Sequence, residues 1–249
     1  MNVGIMQPYF FPYLGYFQLM ASVDTWVFFD DIQFVNKGWV NRNRILHPDP
    51  AKGWQYMTVP LAGKNRFDRI TDIRMAEADW RGKIRGQLSF LRKRAPYYEQ
   101  ALSVFDHCTD QSEHNLARFL VESLRRLAEV LALSPTFHVQ SDAHWNLGPV
   151  EHAGQWALRI AECLGARSYL NPAGGAGLFR PEEFEASGIA LAFHEPVLEP
   201  YPQGQRPFVP GLSILDVLMW NGLDETRRMV QAGRHCPDGQ TGANRSDMQ

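Results

Sequence analysis

The stretch VGIMQPYFFPYLGYFQLMASVDTWVFFDD, residues 3–31, limits the fold of this chain more than any other. An apolar run, VGIM, enters a loop carrying Pro8, Pro12 and Gly15, continues through a short apolar segment, and ends in a second apolar run, TWVFF, at Asp30 and Asp31. Two strand-like runs joined through a helical piece, not a two-residue turn, open a βαβ unit with parallel strands. Open α/β sheets bind ligands beyond the carboxyl ends of their strands, which directs attention to residues 7–15.

The rest of the chain supplies more alternation. Residues 39–46 (WVNRNRIL) and 54–61 (WQYMTVPL) read as two strands joined by a loop with Pro48, Asp49, Pro50 and Gly53, forming a hairpin or a sheet extension. From about residue 79 to 133 the apolar period becomes helical: Ile84, Leu88 and Leu91, then Leu102 and Phe105, then Leu116, Leu120, Leu124 and Leu127. Three helices are predicted there, the first capped by Asp79 and the third opened by a capping box of Asp110 and Glu113. TFHVQ, RSYLNP and IALAFHE then read as strands, separated by the helices GPVEHAGQWALRIAECLGA, ended by Gly165, and PEEFEAS. The proline-rich segment 195–211 is too broken for regular structure and reads as a long ordered loop or lid. A last helix over 213–232 carries an S-x-x-D cap of Ser213 and Asp216, and the polar residues 233–249 read as a disordered tail. The pattern predicts an α/β fold: one domain over residues 1–232, with a Rossmann-like, mostly parallel sheet and an inserted helical block at about 79–133.

A net charge of −2 gives no global basic signature, so duplex nucleic acid is excluded as the main partner. No apolar run reaches the ~18 residues of a membrane span and no signal-like start is present, so a cytoplasmic protein is expected. Cys108, Cys163 and Cys236 form no CxxC pair and read as reduced thiols. The histidines show no metal-ligand spacing; Asp142, His144 and His152 gather only loosely, and no metal is predicted.

The candidate site begins in the first loop. Gln7, Tyr9, Tyr13 and Tyr16, stiffened by Pro8 and Pro12, suit an aromatic cup for a sugar or base; the competing reading is core packing around a tight strand-to-helix turn. The loop is also similar in arrangement to that of HIGH-type nucleotidylyltransferases. Its matching tetrad, Tyr13-Leu14-Gly15-Tyr16, lacks both histidines and their charge. Strand alternation groups Arg42 and Arg44 with Val40, and Asn41 and Asn43 with Trp39. Two arginines on one face, with Lys37 nearby, suit a diphosphate or carboxylate; the alternative is a solvated edge strand. Asp30 and Asp31 point to opposite faces, so at most one serves as a general base. AGGAGL, residues 173–178, offers bare amides to a phosphate or makes a simple turn, and His194 at a strand end reads as structural before catalytic.

The motifs MQPYFFPYLGYFQLM, DDIQF, GWVNRNRI, TVPL, LGARSYLNPAGGAGLF and FVPGLSILDVLMWNG, taken together over about residues 3–222, resemble the WbqC-like family of bacterial proteins. The resemblance implies association with surface-polysaccharide and O-antigen gene sets, or more loosely with small-molecule biosynthesis, and a transferase acting on sugar or aminoacyl substrates. It brings no catalytic residue, cofactor or oligomeric state. The resulting expectation is transfer of an acyl or aminoacyl group to a nucleotide-linked amino sugar. In it Arg42, Arg44 and Lys37 hold the anion, and Tyr9, Tyr13 and Tyr16 shape the ring pocket. Gln7, Asn41 and Asn43 orient hydroxyls, and Asp31 or Asp30 deprotonates the acceptor. The alternatives are a non-catalytic partner that binds a glycan intermediate or another enzyme, and a degenerate HIGH-type nucleotidylyltransferase.

Overall fold

The computed structural model describes residues 1–233. In chain order the elements are β1 (Asn2–Met6), α1 (Leu14–Met20), β2 (Thr25–Phe28), β3 (Arg42–Leu46), β4 (Trp54–Thr58), α2 (Trp80–Leu88), α3 (Tyr98–Thr109) and α4 (Leu116–Val130). They continue with β5 (Thr136–Val139), α5 (Gln155–Cys163), β6 (Ser168–Pro172), α6 (Pro181–Ala186), β7 (Ala190–His194) and α7 (Ile214–Ala232).

The opening run folds as its pattern requires. β1 pairs in parallel with β2, Val3 opposite Thr25 and Met6 opposite Phe28, and α1 carries the chain between them. Five strands form one all-parallel sheet in the order β5-β2-β1-β6-β7. Chain order reverses on either side of β1, the topological switch of a Rossmann-like sheet. Such a sheet is covered on both faces, so its central strands are largely apolar, and successive residues feed opposite cores. Val3, Ile5 and Val27 pack with Leu158 and Ile160 of α5 and with Phe184 of α6. Trp26 and Phe28 face the larger core, which takes in Phe17 of α1, the α2–α4 block and Leu218 of α7. Every residue of α1 is buried, as expected of a short helix that is apolar on nearly all sides and lies under α7.

The insertion between β2 and β5 holds the three expected helices and also the hairpin. Asp79 caps α2, its carboxylate accepting from the Gly82 amide at 2.8 Å. The box proposed for α4 is displaced: Asn115 is the cap, accepting from Arg118 N at 3.1 Å, while Glu113 accepts from Asn115 N at 2.6 Å. Asp110 lies too early, closing α3 through its own amide on Asp106 O at 2.8 Å. β3 and β4 pair antiparallel, Arg44 opposite Tyr56, as a separate two-stranded sheet; this is a hairpin and does not extend the main sheet.

Three local expectations change. The strand begins at Arg42, not Trp39, because residues 38–41 are bent instead of extended, which leaves Trp39 on the arginine face of the hairpin. α5 starts at Gln155, seven residues later than the sequence suggests, after irregular chain that includes Gly148 at φ 62°. α7 is kinked at Gly222, whose φ of 74° suits a residue without a Cβ, and Tyr97 packs into the space that a Cβ would occupy.

Residues 195–211 are irregular but tied down. The buried Gln18 amide donates to Val197 O and accepts from Val197 N, both at 2.9 Å, and also donates to Met229 O at 3.0 Å. Cys108 is buried in α3, where burial pushes its thiol up to about 12, and Cys163 is exposed and free. Among the described residues no helix is long and apolar enough to cross a membrane. The expected disordered tail, with Cys236, lies from residue 234 onward outside the described residues.

Candidate functional site

A cavity of about 460 Å³ opens beyond the carboxyl end of the sheet, built by three pieces of chain. The loop after β1 supplies Tyr9, Pro12 and Tyr13; the hairpin and its approach supply Trp39, Asn43 and Arg44; the segment after β7 supplies Pro196, Leu198, Pro210 and Gly211. The run AGGAGL is not part of this lining; it forms a 3-10 helix, Ala173–Leu178, between β6 and α6.

The first loop is held by the start of α7. Ser213 Oγ donates to Phe11 O at 2.8 Å, and Ile214 N donates to Pro12 O at 2.9 Å. Phe11 is buried at φ 42°, a left-handed conformation that a bulky residue occupies only when its surroundings enforce it. Gly15, in the first turn of α1, stands where a side chain does not fit: a Cβ there meets the Tyr13 ring at 2.5 Å and Pro196 at 2.6 Å. Its absence lets two walls of the cavity meet over the helix.

The tyrosines divide. Tyr9 and Tyr13 line the cavity, and burial raises both phenols, with the neighbouring Tyr13 adding to the rise at Tyr9; they therefore remain neutral hydroxyl groups at physiological pH. Tyr16 belongs to the core, its ring 5.1 Å from that of Trp26 and its hydroxyl donating to Gln7 O at 3.0 Å. Gln7 thus contributes its carbonyl to the loop, and neither Gln7 nor Tyr16 lines the cavity.

The arginines divide as well. Arg42 lies 4.0 Å over the Tyr56 ring and turns back on its own chain, donating to Gly38 O at 3.1 Å and to Lys37 O. Arg44 reaches the cavity, with its guanidinium 5.4 Å from the Trp39 ring and 5.3 Å from the Trp54 ring. One nitrogen, Nη2, donates to Gly211 O at 3.0 Å, while the buried Nε has no partner. A single arginine therefore serves the cavity instead of the expected pair, and Lys37 is an exposed residue whose carbonyl is already used. Asn43 is buried and lines the cavity, donating to Phe10 O at 3.2 Å and accepting from Arg44 N at 2.8 Å; it joins the hairpin to the first loop. Asn41 is occupied across the hairpin, donating to Val59 O at 2.8 Å.

Neither candidate base lines the cavity. Asp30 is buried and accepts from Ser141 N at 3.0 Å and Ser141 Oγ at 2.6 Å, with burial raising its carboxyl against those two bonds. Asp31 faces outward, paired with Arg69 at 2.7 Å. His194 is buried at the end of β7 with Nε2 2.8 Å from Gly233 O, and His152 pairs with Glu183 at 2.9 Å. Among the described residues no cluster of three His, Cys, Asp or Glu side chains could hold a metal ion.

Sequence reasoning missed the third wall and what anchors it. Ser213 caps α7 alone, through Leu215 N at 3.3 Å. Asp216 points inward instead, accepting from Tyr201 Oη and Gln203 Nε2, each at 2.7 Å. Gln203 also accepts from Val209 N at 2.7 Å, so one buried carboxylate organises the segment that carries Pro210 and Gly211. Burial pushes this carboxyl up to about 6. The proline density of residues 195–211 marked an ordered loop, but Asp216 carries the same residue pattern as a helix cap and gave no separate signal.

The cavity thus offers aromatic and proline faces, an amide, two phenols and one arginine, and none of its lining residues is Asp, Glu, His, Cys or Lys. This equipment suits an anionic molecule with an apolar or ring-shaped body. The chain is similar to the uncharacterized protein Rv1507c of Mycobacterium tuberculosis (strain ATCC 25618 / H37Rv), being 26% identical over 220 residues that span 87% of this chain and 92% of that protein. No solved structure matches it. The WbqC-like protein family model matches residues 7–228, which include the cavity's first loop, the hairpin and the start of α7, and the chain belongs to that family.

Proposed function

We propose that the cavity binds an anionic, ring-bearing small molecule, and that the protein is a transferase of bacterial surface-polysaccharide or related small-molecule biosynthesis that passes an acyl or aminoacyl group to a nucleotide-linked amino sugar. Arg44 is the observation that carries this reading. A guanidinium braced by two indole rings and one carbonyl meets an oxyanion without losing much side-chain freedom, and a charge-assisted bond there contributes about 1.5–3 kcal/mol. Tyr9 and Tyr13 offer ring faces and neutral O–H donors to a sugar, and Asn43 offers an amide close by. In acyl transfer these donors act on the charge that develops at the carbonyl oxygen. Asp30 and Asp31 are engaged elsewhere, so the acceptor amine in this reading arrives neutral and loses its proton to solvent or to the leaving group.

The absence of a titrating base from the lining favours a second reading, a non-catalytic protein that holds a glycan intermediate. The degenerate HIGH-type reading has less support, because Tyr13 lies at the cavity and Tyr16 in the core, so the tetrad does not converge on one ligand.

A thermal-shift panel of nucleotide sugars, nucleotides and acyl or aminoacyl donors tests the cavity, since a ligand at 100 times its Kd stabilises the native state by about 2.7 kcal/mol. A nucleotide sugar is expected to raise Tm, and Arg44→Ala to weaken its binding by roughly 10- to 100-fold. No shift with any compound would refute the cavity as a ligand site. Binding without turnover in the presence of every donor selects the non-catalytic reading, and pyrophosphate release from a nucleoside triphosphate selects the nucleotidylyltransferase.

A further inference from the structure

The rings that brace Arg44 extend past the cavity. Trp39, Trp54 and Tyr56 lie together on one face of the hairpin, Trp54 with its ring 4.9 Å from that of Tyr56, and Trp39 6.4 Å from Tyr56. Trp39 and Trp54 are 38% and 36% exposed, whereas Trp26 and Trp80 are buried. A single exposed aromatic residue is unremarkable on a protein surface, but two tryptophans flanking the one arginine of a cavity form a defined pattern. Trp39 lines the cavity and Trp54 does not, so the Arg44 guanidinium, about equally far from both rings, stands where the cavity gives way to the exposed face.

Read outward, the order is pocket, cation, exposed aromatic ring. A nucleoside diphosphate sugar has the matching order of sugar, diphosphate and planar base. We propose that Trp54 is the stacking platform for the base of such a ligand, whose phosphates meet Arg44 and whose sugar enters between Tyr9 and Tyr13. The inference rests on the reading of the cavity as a ligand site and adds the position of the ligand's second ring. Stacking is tolerant of base identity, because every base has a π face, and Arg42 lying over Tyr56 places a second guanidinium beside the platform. A neutral disaccharide fits less well, since it has no anion to set between its two rings.

The experiment is calorimetric titration of the wild-type protein, Trp54→Ala and Trp54→Phe. The probes are UDP-N-acetylglucosamine, GDP-mannose and dTDP-glucose, each beside its sugar 1-phosphate. Each nucleotide sugar that binds is expected to bind wild type at least tenfold more tightly than its sugar 1-phosphate. Trp54→Ala is expected to lower nucleotide-sugar affinity about tenfold more than it lowers sugar 1-phosphate affinity, which removes most of that advantage, and Trp54→Phe to keep most of it. Equal loss of both probe types in Trp54→Ala would show that the ring only props Arg44, and would overturn the platform. So would equal wild-type affinity for a nucleotide sugar and its sugar 1-phosphate; in either case the cavity reading survives. Failure of every probe to bind wild type overturns the platform and the cavity reading together.

Discussion

The cavity and the carboxyl ends of β2 and β5 treat their charged groups in opposite ways. At β2, Asp30 is satisfied by Ser141, and Asp31 is paired with Arg69. At the cavity, Arg44 has one nitrogen on a carbonyl, another without a partner, and two rings holding it in place. Both regions present the charged residues expected of a site, but only the cavity leaves a charge partly unspent. Availability, more than the presence of charge, makes the cavity the candidate site, and the same contrast separates Arg42 from Arg44 within one strand.

The largest expected effect comes from the cavity's third wall. Asp216 has a folded-state pKa of about 6, raised by burial from 3.8. Between those values the folded protein holds a proton that the unfolded chain has released, so stability is highest below about pH 4 and falls as pH rises toward 6. The loss amounts to about 3 kcal/mol, since each pKa unit is worth about 1.4 kcal/mol. Asp216→Asn keeps an acceptor for Tyr201 and Gln203 without the charge. It is expected to raise stability at pH 7 by about 2–3 kcal/mol and to flatten the dependence between pH 4 and 6 in denaturant titrations. An unchanged slope would mean that another group carries the pH dependence.

Asp30 sharpens the comparison from the other region. Asp30→Ala leaves the amide and hydroxyl of Ser141 without their acceptor, at a cost of about 2 kcal/mol measured by urea unfolding. Because Asp30 does not line the cavity, ligand affinity in the folded variant is expected to match wild type. A tenfold loss of affinity would join the two regions into one site and end the contrast drawn between them.

Much of the fold was legible because it rests on local periodicity. The βαβ opening, the three helices between residues 79 and 133, and the later strands all announce themselves by spacing, and Asp79 announces its cap. The lining of the candidate cavity was legible only in part. Tyr9, Tyr13, Asn43 and Arg44, which loop position and strand alternation mark, do line it. Tyr16, Arg42 and Asn41 match the same residue types and neighbourhoods, and only tertiary packing separates them: Tyr16 is drawn under Trp26, Arg42 onto Tyr56, and Asn41 onto Val59. The wall from residues 195–211 was seen as a segment but not as part of the cavity, because the contacts that place it come from Gln18, Arg44 and Asp216, far away in sequence. Trp39 was put on the wrong face of the hairpin because the bends at residues 38–41 break the alternation that precedes Arg42.

The smallest effect belongs to Asp31. Its ion pair with Arg69 is bidentate on the carboxylate side, at 2.7 and 2.9 Å, but the Arg69 side chain is 59% exposed, so water and salt screen the attraction. Pairs of this kind contribute about 0.2–1 kcal/mol, and Asp31→Asn is expected to stay within that range and to lose its effect in 1 M salt. Turnover of a nucleotide sugar, once a donor is found, is expected to remain within about threefold of wild type. A drop of a hundredfold or more with stability intact would show that Asp31 leaves Arg69 to act as the base. The chemistry would then lie at the end of β2 and the cavity would serve to hold the substrate.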